Sequence, residues 1–185
     1  SRSRLFRRTS GDLLPKPPQD ARIVSSEHLA DTEAWQLSEF EYALIMAFNG
    51  FSRWTLRCMS AAGHGDLGAL EILVLHHVYH RQKPKRLNDI AFALNVDDVH
   101  TVNYALRKLV KLELIVGEKS GKEKFYSTTE AGRDCCLAYK DVRERCLNQA
   151  LGALKVDATE FGEIADSLRV VSGLFDQAAR SASSL

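Results

Sequence analysis

The fold is decided by residues 86–129, RLNDIAFALNVDDVHTVNYALRKLVKLELIVGEKSGKEKFYSTT. Leu87, Ile90, Ala91 and Leu94 recur every three or four residues, the spacing of one face of a short helix. Asn95 breaks the pattern, and asparagine tolerates the left-handed backbone of a tight turn. Val96 and Asp97 follow as a staple-and-cap pair for a second helix. The inward stripe of that helix is Val99, Val102, Leu106, Leu109 and Val110. His100, Thr101, Asn103, Tyr104, Arg107, Lys108 and Lys111 are left for a polar face with net positive charge. Leu114-Ile115-Val116 reads as a strand, Ser120-Gly121-Lys122 as a lysine-tipped turn, and Phe125-Tyr126-Ser127 as the returning strand.

Helix, tight turn, helix and basic hairpin compose a winged helix-turn-helix, with the helix pair over 86–112 and the wing over 113–128. In this layout the second helix enters a DNA major groove and the hairpin reaches the neighbouring backbone or minor groove. The fold class expected is mainly α with a small β-wing (α+β), carrying long N- and C-terminal dimerisation helices.

Ile90-Ala91, Leu106-Arg107-Lys108-Leu109, Leu114-Ile115 and Thr129-Glu130-Ala131-Gly132-Arg133 together resemble the MarR-type (multiple antibiotic resistance regulator) transcription factors. The last of these resembles the T-x-x-G-R that opens the helix after the family's wing. The resemblance in element order covers about residues 35–180. It implies a small-molecule pocket between the dimerisation helices and the DNA-binding lobe, and Trp54, Arg57, His77 and Tyr79 lie on the helices that would line it. The wing departs from the family pattern. Ser120 stands where an aspartate is usual, and Lys122 where an arginine reads the minor groove. Lysine lacks the planar guanidinium fork, so Lys122 and Lys124 suit phosphate contact better than base reading.

The 185 residues suffice for one domain with a sizeable core, and 45% hydrophobic with 26% charged residues is ordinary for a soluble globular chain. The net charge of +1 is low for a nucleic-acid binder, but its distribution is uneven. Residues 1–22 hold six Lys/Arg against two Asp/Glu, and residues 81–124 hold ten against six. The remainder is acidic, so a basic head sits on an acidic body. No apolar run reaches the roughly 18 residues needed to span a bilayer, and the arginine-bearing start lacks the apolar core of a secretory signal. Cys58, Cys135, Cys136 and Cys146 lack zinc-type spacing and read as reduced thiols, which points to the cytoplasm. The first residue is Ser, so the natural start is expected to have been removed.

Residues 1–34 form a basic, proline-containing arm, read either as a solvated tail or as arginines that touch phosphate. The winged-helix domain is expected over 35–182. Capping boxes at Ser38-Glu39-Phe40-Glu41, Ser127-Thr128-Thr129-Glu130 and Asp157-Ala158-Thr159-Glu160 predict dimerisation helices over 38–62, 130–154 and 158–180. Asp66 is expected to cap a helix over 69–80. On the last helix Phe161, Ile164, Leu168, Val171, Leu174 and Phe175 make an apolar stripe, with Ala165 and Ala178 beside them. A small winged domain has no room to bury it, so a two-fold homodimer is expected.

His76 and His80 lie four apart, but no third ligand accompanies them and the reading is ordinary helix residues with no metal. The cysteines could form a thiol sensor or pack as small apolar groups; packing is the reading preferred. No nucleophile triad, phosphate-cradling glycine loop or paired-acid motif is present, so neither catalysis nor a cofactor is expected. The leading functional expectation is a homodimeric, sequence-specific regulator on double-stranded DNA. A winged-helix scaffold that no longer binds DNA is the alternative.

Overall fold

The structure, a computed structural model, describes Ser25 and residues 27–30, 35–153 and 157–185. Most of the arginine-bearing arm lies outside the described residues. The elements run α1 (Glu27–Ala30), α2 (Trp35–Ala61), α3 (Ala69–Tyr79), a 3₁₀ turn (His80–Gln82), β1 (Lys85–Arg86), α4 (Leu87–Ala93), α5 (Val99–Lys111), β2 (Ile115–Ser120), β3 (Glu123–Thr128), α6 (Glu130–Arg143), a π turn (Glu144–Asn148), α7 (Gln149–Ala153) and α8 (Ala158–Ala182). The fold is mainly helical with a three-stranded antiparallel sheet in the order β1-β3-β2. No helix among the described residues is long and apolar enough to cross a membrane.

Several helix starts differ from the sequence expectation. α2 begins at Trp35, so Ser38 is not a cap but a buried residue of the first turns, its hydroxyl without a partner among the described residues. Glu41, which would have closed the box with Ser38, therefore lies well inside α2, and the neighbouring Glu39 carboxylate accepts from the Ser25 backbone N–H at 2.8 Å. α3 is capped by Gly68, whose N–H donates to the Glu71 carboxylate, and not by Asp66. α5 is capped by Asp98, one residue after the expected Asp97: its carboxylate accepts from His100 N–H at 2.9 Å. The turn is one residue longer because Asn95 adopts φ 52° and Val96 N–H returns to the Ala91 carbonyl at 2.9 Å. Ser127 and Thr128 are held in the sheet opposite Val116 and Ile115, so Thr129 caps α6 by accepting from Gly132 N–H at 3.0 Å. The helix expected over 130–154 runs as α6, a π turn in which Cys146 is exposed, and α7 as far as Ala153.

The core is built around α3. Its Ile72, Val74, Leu75 and Val78 are buried, and it packs on α2, α5, α6 and β3. α5 contributes Val102, Ala105, Leu106 and Leu109 from one face. The ends of the wing are joined at one point: Thr129 N–H donates to the Leu114 carbonyl at 3.1 Å, and Thr129 Oγ1 donates to the Glu113 carbonyl at 2.7 Å. α6 then passes over Leu114 so closely that a Cβ on Gly132 would collide with its carbonyl oxygen. The hairpin closes in two residues, Gly121 and Lys122, with φ +64° at Gly121, the position a II′ turn reserves for glycine.

Three of the four cysteines are structural. Cys58 Sγ donates to the Tyr139 carbonyl at 3.5 Å, and Cys135 Sγ lies 3.5 Å from Met59 Sδ. Burial pushes the Cys58 thiol up, Cys135 up to about 11 and Cys136 up to about 12, so all three stay protonated at neutral pH. His76 packs edge-on against Tyr139 with ring centroids 4.5 Å apart, its Nε2 buried and without a hydrogen-bond partner among the described residues. Burial holds its pKa below the ordinary imidazole value of 6.5.

The apolar surface left over is concentrated on two long helices. Ile45, Met46, Phe48 and Phe51 of α2 are more than half exposed. On α8, Phe161, Ile164, Leu168, Leu174 and Phe175 are exposed and Val171 is partly so.

Two outcomes follow for the core. Gly132→Ala, which on helix propensity alone should stabilise by up to about 1 kcal/mol, is instead expected to destabilise by about 3 kcal/mol or more in chemical denaturation, because the Leu114 carbonyl must move. For His76 the folded pKa is depressed, so its contribution is fully present above 6.5 and is lost as the pH falls below it. Unfolding free energy is expected to decline from pH 7 to pH 5, and His76→Phe to flatten that decline.

Candidate nucleic-acid interface

α5 is a half-buried helix, and what its packing leaves outward defines the candidate surface. His100, Tyr104, Arg107 and Lys111 recur at four, three and four residues and are all exposed, so they form one stripe along α5. Tyr104 is 70% exposed, far more than an aromatic ring adopts when it serves the core. Asn103 flanks the stripe, partly buried. Thr101 belongs to the helix start: its Oγ1 donates to the Asp98 carbonyl at 2.7 Å.

Lys108 departs from the face assigned to it. Its Nζ turns back to the α2–α3 loop and α3, donating to the Asp66 carbonyl at 2.8 Å and lying 3.4 Å from the Glu71 carboxylate. The Glu71 side chain is only 13% exposed, so Lys108 compensates a nearly buried charge. Lys108 therefore holds α5 to the body.

The wing places its cations unequally. Lys122 occupies the tip of the turn, exposed. Lys124 is folded down: its ammonium lies 5.2 Å over the Tyr126 ring, above Gly117 on the paired strand. Arg86, one of the ten basic residues of 81–124, is ion-paired. Its Nε and Nη2 reach the Asp89 carboxylate at 2.8 and 3.0 Å, and its Nη1 reaches Glu123 at 2.8 Å. The hydrogen bond from Arg86 holds Asp89 below the ordinary carboxylate range.

A cavity of about 450 Å³ opens where the end of α3 meets the start of α6. Tyr79, Gln82, Lys83, Ser127, Thr128 and Arg133 are among its lining. Of the four residues expected to line an effector pocket, Tyr79 lines this cavity; Trp54 packs instead against the core, and His77 stacks on His80 at 6.4 Å between ring centroids. Arg81 and Gln82, at φ 59° and 48°, turn the chain out of α3 in left-handed conformations that asparagine or glycine would have announced in the sequence. Lys85 Nζ closes that turn by donating to the carbonyls of Val78, His80 and Lys83 at 3.1, 2.5 and 3.2 Å. No group of three or more His, Cys, Asp or Glu side chains able to hold a metal occurs among the described residues.

Residues 67–132 match the family model of a winged helix DNA-binding domain. No curated protein matches the sequence. Among solved structures, a MarR family regulator from Neisseria meningitidis superposes with a TM-score of 0.62 at 14% identity, over 79% of this chain and 97% of that one. Staphylococcus aureus MarR in complex with salicylate and kanamycin superposes at 0.61 and 18% identity, over 77% and 93%. A MarR transcriptional regulator from Methanosarcina mazei gives 0.55 and 17%, over 77% and 91%. The chain thus carries a winged helix DNA-binding fold and has the architecture of the MarR-type regulators, as the sequence resemblance implied.

The two lysines of α5 are expected to separate in denaturation. Lys108→Ala lowers the unfolding free energy by about 1 kcal/mol, since it leaves the nearly buried Glu71 carboxylate without its cation. Lys111→Ala, on the free stripe, leaves it within about 0.5 kcal/mol.

Proposed function

We propose that the protein is a sequence-specific transcriptional regulator that binds double-stranded DNA as a homodimer. The observation that carries the reading is the free stripe of α5, beside a wing whose tip is Lys122. Arg107 suits guanine or phosphate, Asn103 suits adenine edges, and Tyr104 can stack or contact a thymine methyl. His100, Thr101 and Lys111 flank these as backbone contacts, and Lys108 supports the helix from behind. Lys122 holds phosphate without reading sequence, while Lys124 stays folded over Tyr126 behind it.

The exposed apolar faces of α2 and α8 support dimerisation, because surface of this extent on a monomer is rare outside interfaces. Phe161, Ile164, Leu168, Val171, Leu174 and Phe175 would form the α8 side of that interface. The cavity between Lys83 and Arg133 supports a small-molecule effector, and S. aureus MarR holding salicylate adds to that support. Such a regulator acts in the cytoplasm. The alternative, a winged-helix scaffold without DNA, is favoured by Asp97, Asp98, Glu118 and Glu123, all exposed near the DNA face.

Fluorescence anisotropy on specific and scrambled duplexes tests the reading. Arg107→Ala is expected to weaken specific binding by about 1–3 kcal/mol and to relax preference at one position per half-site. Lys122→Ala should weaken both duplexes alike and lower the salt slope by about one unit for each phosphate that the lysine no longer neutralises. An Arg107→Ala protein with unchanged affinity and preference would hand the reading to the scaffold. Light scattering should give twice the chain mass, reduced or abolished by Leu168→Asp.

A further inference from the structure

The outer half of the wing has little to hold it. β1 pairs with β3 only at Lys85–Tyr126 and Arg86–Phe125, because the chain turns into α4 at Leu87. Glu123 and Lys124 lie beyond that pairing, and their backbones are paired with β2 alone. A two-stranded ribbon is marginal in water by itself. Nor does apolar packing fill the space beside it: a groove of about 310 Å³ separates α4 from the wing, lined by Arg86, Leu87, Asn88, Glu123, Lys124 and Tyr126. Arg86 spans this groove. Its guanidinium engages Asp89, in the first turn of α4, with two hydrogen bonds, and Glu123, at the outer end of β3, with a third. Among the described residues no other ion pair links the wing tip to the helical body.

We infer that Arg86 is a positioning residue which fixes the wing tip relative to the helix-turn-helix, so that Lys122 and the α5 stripe meet one DNA duplex together. The inference rests on the DNA-binding reading for its consequence, though not for its geometry. α4 is packed on α5 and so carries the frame of the recognition helix. Arg86 transmits that frame across an open groove to the hairpin. The planar fork is needed because one cation must satisfy two carboxylates in different directions; a lysine ammonium would serve one side. The three side chains are each about half exposed, so the network adds little to global stability. Its effect is on where the wing tip rests, and hence on how much ordering DNA binding must impose.

The decisive variant is Glu123→Gln. It removes a negative charge from the DNA side, so long-range electrostatics alone predicts tighter binding. The clamp predicts weaker binding, on the order of threefold to tenfold, the equivalent of losing one or two such pairs. Arg86→Ala and Arg86→Lys should weaken binding similarly, with thermal unfolding nearly unchanged. Lys122→Ala added to Arg86→Ala should have less effect than in the parent protein. Hydrogen exchange on the DNA-free protein tests the clamp apart from its consequence: amides 118–124 should exchange faster in Arg86→Ala and in Glu123→Gln. Unchanged exchange at those amides overturns the clamp whatever the protein does with DNA. Faster exchange with a parent protein that binds no duplex leaves the clamp standing and removes the DNA-binding reading. Faster exchange with tighter binding by Glu123→Gln refutes the positioning role.

Discussion

The carbonyl of Leu114 is where the molecule is held together. It accepts the Thr129 N–H, closing the base of the wing, and it lies so near Gly132 that no side chain fits between them. Everything after the wing depends on that approach. Thr129 can cap α6 only because the strand ends there, and α6 packs on α2 and α3 only because it leaves the sheet at that angle. The glycine of the T-x-x-G-R motif therefore records a distance between two pieces of backbone. The threonine records a second bond, from its hydroxyl to Glu113, at a residue whose own φ is 58°.

From that joint two surfaces diverge. The winged lobe keeps its core on α3 and presents the outward stripe of α5 with the wing beside it. The long helices α2 and α8 carry apolar faces that the described residues do not bury. The division accounts for a net charge of only +1. The basic side chains of the lobe are not all available to a partner. Arg86 is engaged by Asp89 and Glu123, Lys108 by Glu71, Lys85 by three backbone carbonyls, and Lys124 lies over Tyr126. What remains on the face is a short, specific set rather than a broad basic field.

The helix-turn-helix was legible in the sequence because α5 is half buried, so its 3.6-residue period survives intact. Asn95 was legible because few residues other than glycine adopt a left-handed turn without strain. Of the caps, Asp157 was legible and its carboxylate accepts from Thr159 N–H at 2.9 Å, but the others were not, and the reason is competition. Ser127 carries the pattern of a capping residue, but pairing with Val116 keeps it in the strand, and the cap passes to Thr129. Ser38 and Glu41 form a capping box on paper, yet the helix already starts at Trp35 and Ser38 is buried within its first turns. Lys108 was misplaced for the same cause: its helical position is outward enough to read as surface, and only the approach of Glu71, 37 residues away, turns it inward. Arg86 and Asp89 stand at a spacing that announces a local pair, whereas Glu123 joins them through the sheet. Local periodicity is written along the chain; partners that compete across it are not.

The central claim is that two copies present α5 to successive major grooves of one duplex. The most direct test is to capture fragmented genomic DNA with the purified protein and sequence what is bound. The account predicts enrichment of a palindrome whose half-sites lie about 10 base pairs apart, centre to centre. Recovery with no shared motif, or with a single unrepeated site, would contradict it.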